Sequence, residues 1–351
     1  MIASVSIKNF KSIVNLELPL GRINVLIGEN GCGKSNILEG ITFGAAAATD
    51  RLGREFLVNR GIRVTEPAFM YSAFEGSDEE IIIEIYNSEL DDHLCLHIKH
   101  NNEAKPRQWE LLPMENKASE FFRYWDIESL KDLLEHFLIY SLEESVLRRF
   151  DVDTGIFPFG RNGGGLLAYL KELSRKEDGD KILAEIQENL LVIDWFESLE
   201  IPKTVFSQDF TIHVKDRYIS ETLQTFDQRS TNEGFLYLLF YLTLFISDET
   251  PAFFAIDNIE SALNPKMCRE VMKRFTQLAR KHNKQVIMTT HSPSVLDGLN
   301  IDNDDERLFV VRRNIDGHTK INRVKYNNDR MDMPLSEAWV DGYLGGLPEN
   351  F

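Results

Sequence analysis

Cysteine is scarce in this chain of 351 residues: only Cys32, Cys95 and Cys268 are present. So small and odd a number excludes a disulfide framework and points to reduced thiols, hence a cytoplasmic protein. Long apolar runs are lacking too. The longest notable one, Phe235 to Ile246, is about twelve residues, too short to span a bilayer, so no membrane role is expected. The start, Met1-Ile2-Ala3-Ser4, lacks the basic residues and apolar stretch of a secretory signal. Positive charge is in deficit, with 39 Lys and Arg against 56 Asp and Glu and a net charge of −17. Proteins that grip nucleic acid through phosphates present basic surface, so direct nucleic-acid binding is not favoured unless it is local or supplied by a partner. The basic groups that do occur (Arg51, Arg54, Arg60 and Arg63; Arg148 and Arg149; Lys171, Arg175 and Lys176) read as solvated helix faces. No internal repeat, low-complexity tract or heptad pattern is visible.

What is present is α/β patterning at both ends of the chain. Ile2 to Leu20 alternates apolar and polar residues and predicts two short strands around Asn9-Phe10-Lys11-Ser12. Ile23 to Ile27 reads as a buried strand, followed by a Gly-rich turn and a helix over Asn36 to Ala48. Ile81 to Tyr86 and His93 to Ile98 read as antiparallel strands. Phe121 to Glu135 reads as helix and Phe137 to Tyr140 as strand. Ser141 to Phe210 reads as mostly helical, interrupted near Pro202 and at Gly163-Gly164-Gly165, a flexible connection. Past residue 210 an apolar helix (Phe235 to Ile246), a strand (Ala252 to Ile256), a helix (Lys266 to His282) and a strand (Gln285 to Thr290) alternate. Strands at Arg307 to Arg312 and Ile321 to Tyr326 follow, joined through the Asp316-Gly317 turn pair. The α/β core is thus expected in pieces: residues 1–110 as an N-terminal lobe, 111–220 as a mostly helical insertion, and 221–351 as a C-terminal lobe.

Three motifs carry chemistry. Gly28-Glu29-Asn30-Gly31-Cys32-Gly33-Lys34-Ser35 fits the phosphate-loop pattern G-x-x-x-x-G-K-[ST] in full, between a strand and a helix as that pattern requires. The glycines let successive backbone N–H groups face phosphates, and the helix adds its positive end. Lys34 would meet the β- and γ-phosphates and Ser35 would ligate Mg²⁺. Phe253-Phe254-Ala255-Ile256-Asp257 is an apolar strand ending in a carboxylate, where Asp257 can orient Mg²⁺. Thr289-Thr290-His291-Ser292-Pro293 follows the next strand, and His291 there can sense a γ-phosphate. ATP and Mg²⁺ are therefore the expected cofactors.

With these residues in view, the sequence resembles the ABC-ATPase heads of the SMC, RecF and OLD group, in the branch of small stand-alone "AAA-family" ATPases of bacterial antiphage systems. Ile7-Lys8-Asn9-Phe10-Lys11-Ser12 is similar to their N-terminal strand pair, and Asn24 to Gly31 to their phosphate-loop approach. Asp257 to Pro265 is similar to their Walker B and D-loop, the latter being Ser261 to Pro265. The match covers about residues 1–90 and 220–330 and is weak between. It implies an α/β P-loop NTPase of ABC type with a mixed sheet, N-terminal antiparallel strands and an inserted helical lobe. It also implies head-to-tail dimers that sandwich ATP. Its nucleotide contacts fall on Gly28 to Asn36, on Lys11 and Ser12, and on Asn232 and Gly234 within Ser230-Thr231-Asn232-Glu233-Gly234, the signature position.

Two residues depart from the family pattern. Asn232 stands where the signature usually has Ser; an amide can still donate to a phosphate. Asn258 stands where a Glu polarises the attacking water, and an amide cannot act as general base. Catalytic duty would then fall on Asn258, His291 and the nearby Glu260, with slow turnover expected. No Gln is assignable to the Q-loop, the first being Gln108. The leading expectation is an ATP-driven switch, dimeric or larger, that controls a separately encoded nuclease or toxin. About sixty residues follow His291, short of the order of one hundred that a nuclease domain needs. A DNA-repair or chromosome ATPase is the alternative. A P-loop kinase leaves the D-loop, His291 and the signature turn without a role. The acidic cluster Asp302, Asp304, Asp305 and Glu306 reads as a solvated loop, and Pro334 to Tyr343 as a final helix packed on its own domain.

Overall fold

A computed structural model describes residues 1–74, 79–87, 92–103, 108–112, 124–150, 155–202, 211–220, 225–325 and 333–346. In chain order, the elements up to residue 140 are β1 (Ile2–Phe10), β2 (Ile13–Pro19), β3 (Ile23–Ile27), α1 (Lys34–Ala48), α2 (Arg54–Asn59), α3 (Pro67–Met70), β4 (Ile81–Asn87), β5 (Asp92–Asn101), β6 (Gln108–Leu111), α4 (Tyr124–Glu135) and β7 (Ile139–Tyr140). There follow α5 (Glu144–Leu147), α6 (Leu166–Leu173), α7 (Gly179–Leu190), β8 (Phe196–Glu200), β9 (His213–Asp216), β10 (Phe226–Asp227), α8 (Glu233–Ile246), β11 (Phe253–Ile256), α9 (Pro265–Lys281), β12 (Gln285–Thr289), α10 (Pro293–Leu296), β13 (Glu306–Arg313), β14 (Thr319–Val324) and α11 (Leu335–Val340). Two compact units result. One comprises Met1–Ile139, Pro251–Ile259 and Gln285–Phe351, the other Tyr140–Thr250 and Glu260–Lys284.

The first unit holds two sheets. The five-stranded one, ordered β2-β1-β4-β5-β6, is antiparallel throughout. Its strands alternate: Ile81, Ile83 and Ile85 of β4 are buried while the residues between them are part-exposed, as a sheet with one covered face requires. The other sheet is mixed, ordered β14-β13-β3-β12-β11-β7, with β13, β3, β12 and β11 parallel and β14 antiparallel to β13. Every residue of β3, β11 and β12 is buried, because parallel strands are covered on both faces. Helix α1 packs on the antiparallel sheet through Phe43, which stacks on Phe10 at 5.6 Å and meets Trp109 edge-on at 5.2 Å. Strand β6 went unpredicted, since only Trp109 of its four residues is buried and so short a run shows no alternation.

In the second unit α8 is apolar all round and buried all round. Phe240 packs on Phe159 at 4.7 Å, and Phe245 stacks on Phe275 of α9 at 4.5 Å. The stretch expected to be mostly helical contains α5, α6 and α7 but then turns to strand. β8, β9 and β10 form a three-stranded sheet, and residues 203–210 lie outside those described. The buried residues of β8, Phe196 and Leu199, are three apart, which mimics a helical face. The register shift between Phe196 and Ser198 is what lets a strand bury that spacing.

Several other expectations need correction. Gly163 to Gly165 is a packed, buried turn rather than a flexible connection. Gly163 and Gly165 sit at φ +90° and +89°, and the Gly160 N–H donates to the Gly164 carbonyl at 2.9 Å. Arg60 is not on a solvated face: it is buried, donates to the Phe137 carbonyl at 2.7 Å and lies over the Phe56 ring. Nor is the acidic loop merely solvated. Glu306 is buried and accepts from the Asn300 N–H, while Asp304 pairs with Arg307 and Arg323, which hold its carboxyl below the usual range. At the C-terminus α11 docks on its own unit: Trp339 is buried, and Ser336 bonds to Asp297 through both its N–H and its hydroxyl. The three cysteines are free thiols, and among the described residues no helix is long and apolar enough to cross a membrane.

Candidate nucleotide site

The phosphate loop leaves the central strand β3 at Gly28 and enters α1 at Lys34. Gly28, at φ +147°, has no alternative: a Cβ there would stand 2.1 Å from the Val311 carbonyl oxygen of the neighbouring β13. The Lys34 ammonium folds beneath the loop and donates to the carbonyls of Gly28 at 2.7 Å and Glu29 at 2.9 Å. Helix α1 carries no acidic residue in its first turn, and no side chain caps it at Gly33. Its positive end is therefore uncompensated by the protein, which suits an anion.

A cavity of about 370 Å³ opens over this loop, lined by Asn30, Gly31, Gly33, Lys34, Ser35 and Asn36 together with Arg63, Asp257, Asn258, His291 and Arg313. Its formal charges are three cations and one carboxylate, leaving histidine aside, and this matches a polyphosphate. The Ser35 hydroxyl and the Asp257 carboxylate are the hard oxygen ligands that Mg²⁺ takes, so both groups fit the residues present. Asp257 is held by the hydroxyl of Thr289 on β12, which donates to its Oδ1 at 2.5 Å. The same Thr289 oxygen accepts from the Asn258 N–H at 2.9 Å. Asn258 itself lies at φ 57°, a left-handed conformation that asparagine tolerates better than most residues.

A second cavity of about 380 Å³ shares Asn36, Arg63 and Arg313 with the first. Lys11 and Ser12 line it, with the aromatic rings of Phe69, Tyr71 and Phe74. Both cavities are thus cationic and only the second adds Phe and Tyr rings, as the phosphates and the base of a nucleotide would require.

Not every predicted residue lines the groove. Gly28 and Glu29 contribute carbonyls to Lys34 rather than wall. Cys32 is buried, and burial raises its thiol pKa, against the lowering effect of Lys34. Glu260, Asn232 and Gly234 belong to the second unit. There Asn232 caps α8, its Oδ1 accepting from the Phe235 N–H at 2.8 Å, and Gly234, the helix's second residue, lies beside the Ala262 carbonyl of Ser261 to Pro265. Sequence reasoning missed Arg63, Arg313, Thr289 and Thr319. Arg313 was legible as a cation ending a buried strand, and its Nε donates to the Gly31 carbonyl at 3.0 Å. Thr289 opens the motif that holds His291 but had no role assigned there, and Thr319 carries no sequence signal of its own.

A glycine-rich loop on the central strand of a mixed sheet, an antiparallel N-terminal sheet and a carboxylate ending the strand two places away define a P-loop ATPase fold of ABC type, the fold of SMC heads. Solved structures agree. An SMC head bound to the C-winged helix domain of ScpA is 16% identical with a TM-score of 0.61, covering 92% of this chain and 98% of that one. The Smc head with an extended coiled coil bound to the C-terminal domain of ScpA, derived from Pyrococcus furiosus, is 13% identical with a TM-score of 0.57 (92% and 96% covered). The SMC head domain from Thermotoga maritima is 14% identical with a TM-score of 0.50 (93% and 99% covered). The chain belongs to the family described as "AAA domain, putative AbiEii toxin, Type IV TA system", which matches residues 23–297. No curated protein shows significant sequence similarity to it.

Proposed function

We propose that this chain binds Mg-ATP and uses it as a dimerisation switch, turning the nucleotide over slowly, to control a separately encoded effector in an antiphage setting. The observation that carries this reading is the single cavity in which Lys34, Ser35, Asp257 and His291 converge over an uncapped helix N-terminus. Lys34 and the α1 amides hold the terminal phosphates, and Arg63 and Arg313 line the groove on the side toward the base. Mg²⁺, when bound at Ser35 and Asp257, would supply charge neutralisation on the phosphate oxygens. Thr289 keeps the Asp257 carboxylate turned to the site. Asn258 lies in the cavity where a water would be polarised, yet its amide takes no proton, so hydrolysis lacks a base and the ATP state persists.

The second unit supplies Asn232 and Gly234 at the start of α8, and in a head-to-tail dimer these complete the partner's site. ATP held across such an interface favours the closed dimer by its differential affinity. The family description names a toxin and a type IV TA system, which supports a defence setting with a toxic partner. Two similar SMC heads were solved with domains of ScpA, which supports a protein partner here. A DNA-repair or chromosome role is the second reading, and the SMC-like fold favours it. It requires salt-sensitive DNA affinity, against a net charge of −17.

The test is mass measured in solution with and without Mg-ATP, for wild type and Lys34→Ala. Dimer formation with ATP that Lys34→Ala abolishes is the expected result. A mass indifferent to ATP would remove the switch, and nucleotide uptake by Lys34→Ala equal to wild type would remove the site.

A further inference from the structure

Helix α1 buries a carboxylate that no phosphate-loop function explains. Glu39 is 2% exposed, five residues past Lys34. A buried carboxylate is costly unless paired and hydrogen-bonded. Glu39 is both: its Oε2 accepts from the Lys11 ammonium, and its Oε1 accepts from Arg63 Nε at 2.5 Å. The Lys11 ammonium also donates to the Arg63 carbonyl at 3.0 Å. Lys11 takes up a left-handed backbone, φ 49°, in the β1–β2 turn, where its N–H is held by the Met70 carbonyl. Both cations bound by Glu39 line the groove. Arg63 lines both cavities and so stands at their junction.

From Arg63 a hydrogen-bond chain runs in one direction to the phosphate loop. Arg63 Nη2 donates to Asn36 Oδ1 at 3.0 Å, and Asn36 Nδ2 donates to Ser12 Oγ at 2.6 Å. Ser12 Oγ and Thr319 Oγ1 are 2.7 Å apart, and Thr319 donates to the Cys32 carbonyl at 2.9 Å. Because Thr319 spends its proton on Cys32, Ser12 must donate to Thr319. Every hydroxyl and amide in the chain is therefore used in a fixed sense, with the carboxylate at its head.

We propose that Glu39 is a positioning residue of the nucleotide groove: it sets the Arg63 guanidinium and the Lys11 ammonium at the junction of the two cavities before nucleotide arrives. The inference rests on the nucleotide reading of the site. A cation at the junction meets the part of the nucleotide between the base and the terminal phosphates, which ATP and ADP share. Losing its orientation therefore weakens both alike.

Calorimetric titration of Mg-ATP and Mg-ADP into wild type, Glu39→Gln, Arg63→Ala and the double variant tests it. Glu39→Gln, nearly isosteric, should bind both nucleotides about tenfold more weakly, by similar factors, and Arg63→Ala likewise. The double variant should lose less than the product of the single factors, which a merely structural carboxylate would not produce. Should Glu39→Gln not fold, Arg63→Ala keeps the test, because that side chain is largely exposed; equal loss of ATP and ADP is expected. Wild-type binding with Glu39→Gln or Arg63→Ala unchanged, a loss confined to ATP, or fully multiplying costs would each overturn the inference alone. No binding by wild type would overturn the nucleotide reading as well.

Discussion

The Thr319 hydroxyl donates to the Cys32 carbonyl at 2.9 Å, joining the first residue of β14 to the phosphate loop across 287 positions of sequence. The same threonine stands against Gly33, where a Cβ would come within 2.2 Å of its Oγ1. The loop's shape is thus set partly by a hairpin that carries no nucleotide motif. Thr319→Val keeps the volume but removes the donor and leaves the Cys32 carbonyl and the Ser12 hydroxyl short of a partner. An unpaired buried polar group costs about 1–3 kcal/mol. ATP affinity is expected to fall by roughly tenfold, read by titration calorimetry. Affinity equal to wild type would show that the loop holds its shape without the hairpin.

Asn258→Glu tests whether a missing base limits turnover. General-base catalysis contributes about 10²–10⁴-fold, so phosphate release should rise by on the order of 10². The left-handed backbone at φ 57° suits Asn better than Glu, and a stability loss of about 1 kcal/mol is expected alongside. Steady-state phosphate release and thermal unfolding read the two effects separately. An unchanged rate in a folded variant would place the slow step elsewhere.

Gly40 is one of two glycines, with Gly44, at which α1 closely approaches the antiparallel sheet. A Cβ at Gly40 would stand 2.8 Å from Ile7 Cδ1. Gly40→Val should therefore destabilise by about 1–3 kcal/mol through overpacking, despite the better helix propensity of Val. Denaturant unfolding of the variant against wild type measures it, and a variant as stable as wild type would mean that the helix can shift outward freely.

Lys284 gives a pH signature in the second unit. Burial pushes its ammonium from the ordinary 10.5 down to about 8, even though it donates to the carbonyls of Ser247 and Thr250. Between those two values the unfolded chain binds more protons than the folded one, so stability from this group rises with pH and is lost as pH falls through about 8. Lys284→Met removes the titration. The stability difference, wild type minus variant, should climb from about pH 8 to about pH 10.5 and be flat below, as read by unfolding across that range. A flat difference throughout would mean that Lys284 titrates normally.

The sequence by itself determined the ATPase core. The phosphate loop, Asp257 and His291 are local signals, because each needs only a strand end and a few neighbouring residues to take shape. The mostly apolar runs of β3, β11 and β12 read as strands for the same reason. Tertiary structure decided the rest. Arg63 and Arg313 reach the groove, and Thr319 the phosphate loop, from segments that only the fold brings together, and Glu39 reads as one more helix residue until its two cations are seen beside it. β8 hid because a register shift gives a strand the spacing of a helix. Hydrogen bonds between residues far apart in the chain leave no pattern along it, so they become legible only once folding has made them neighbours.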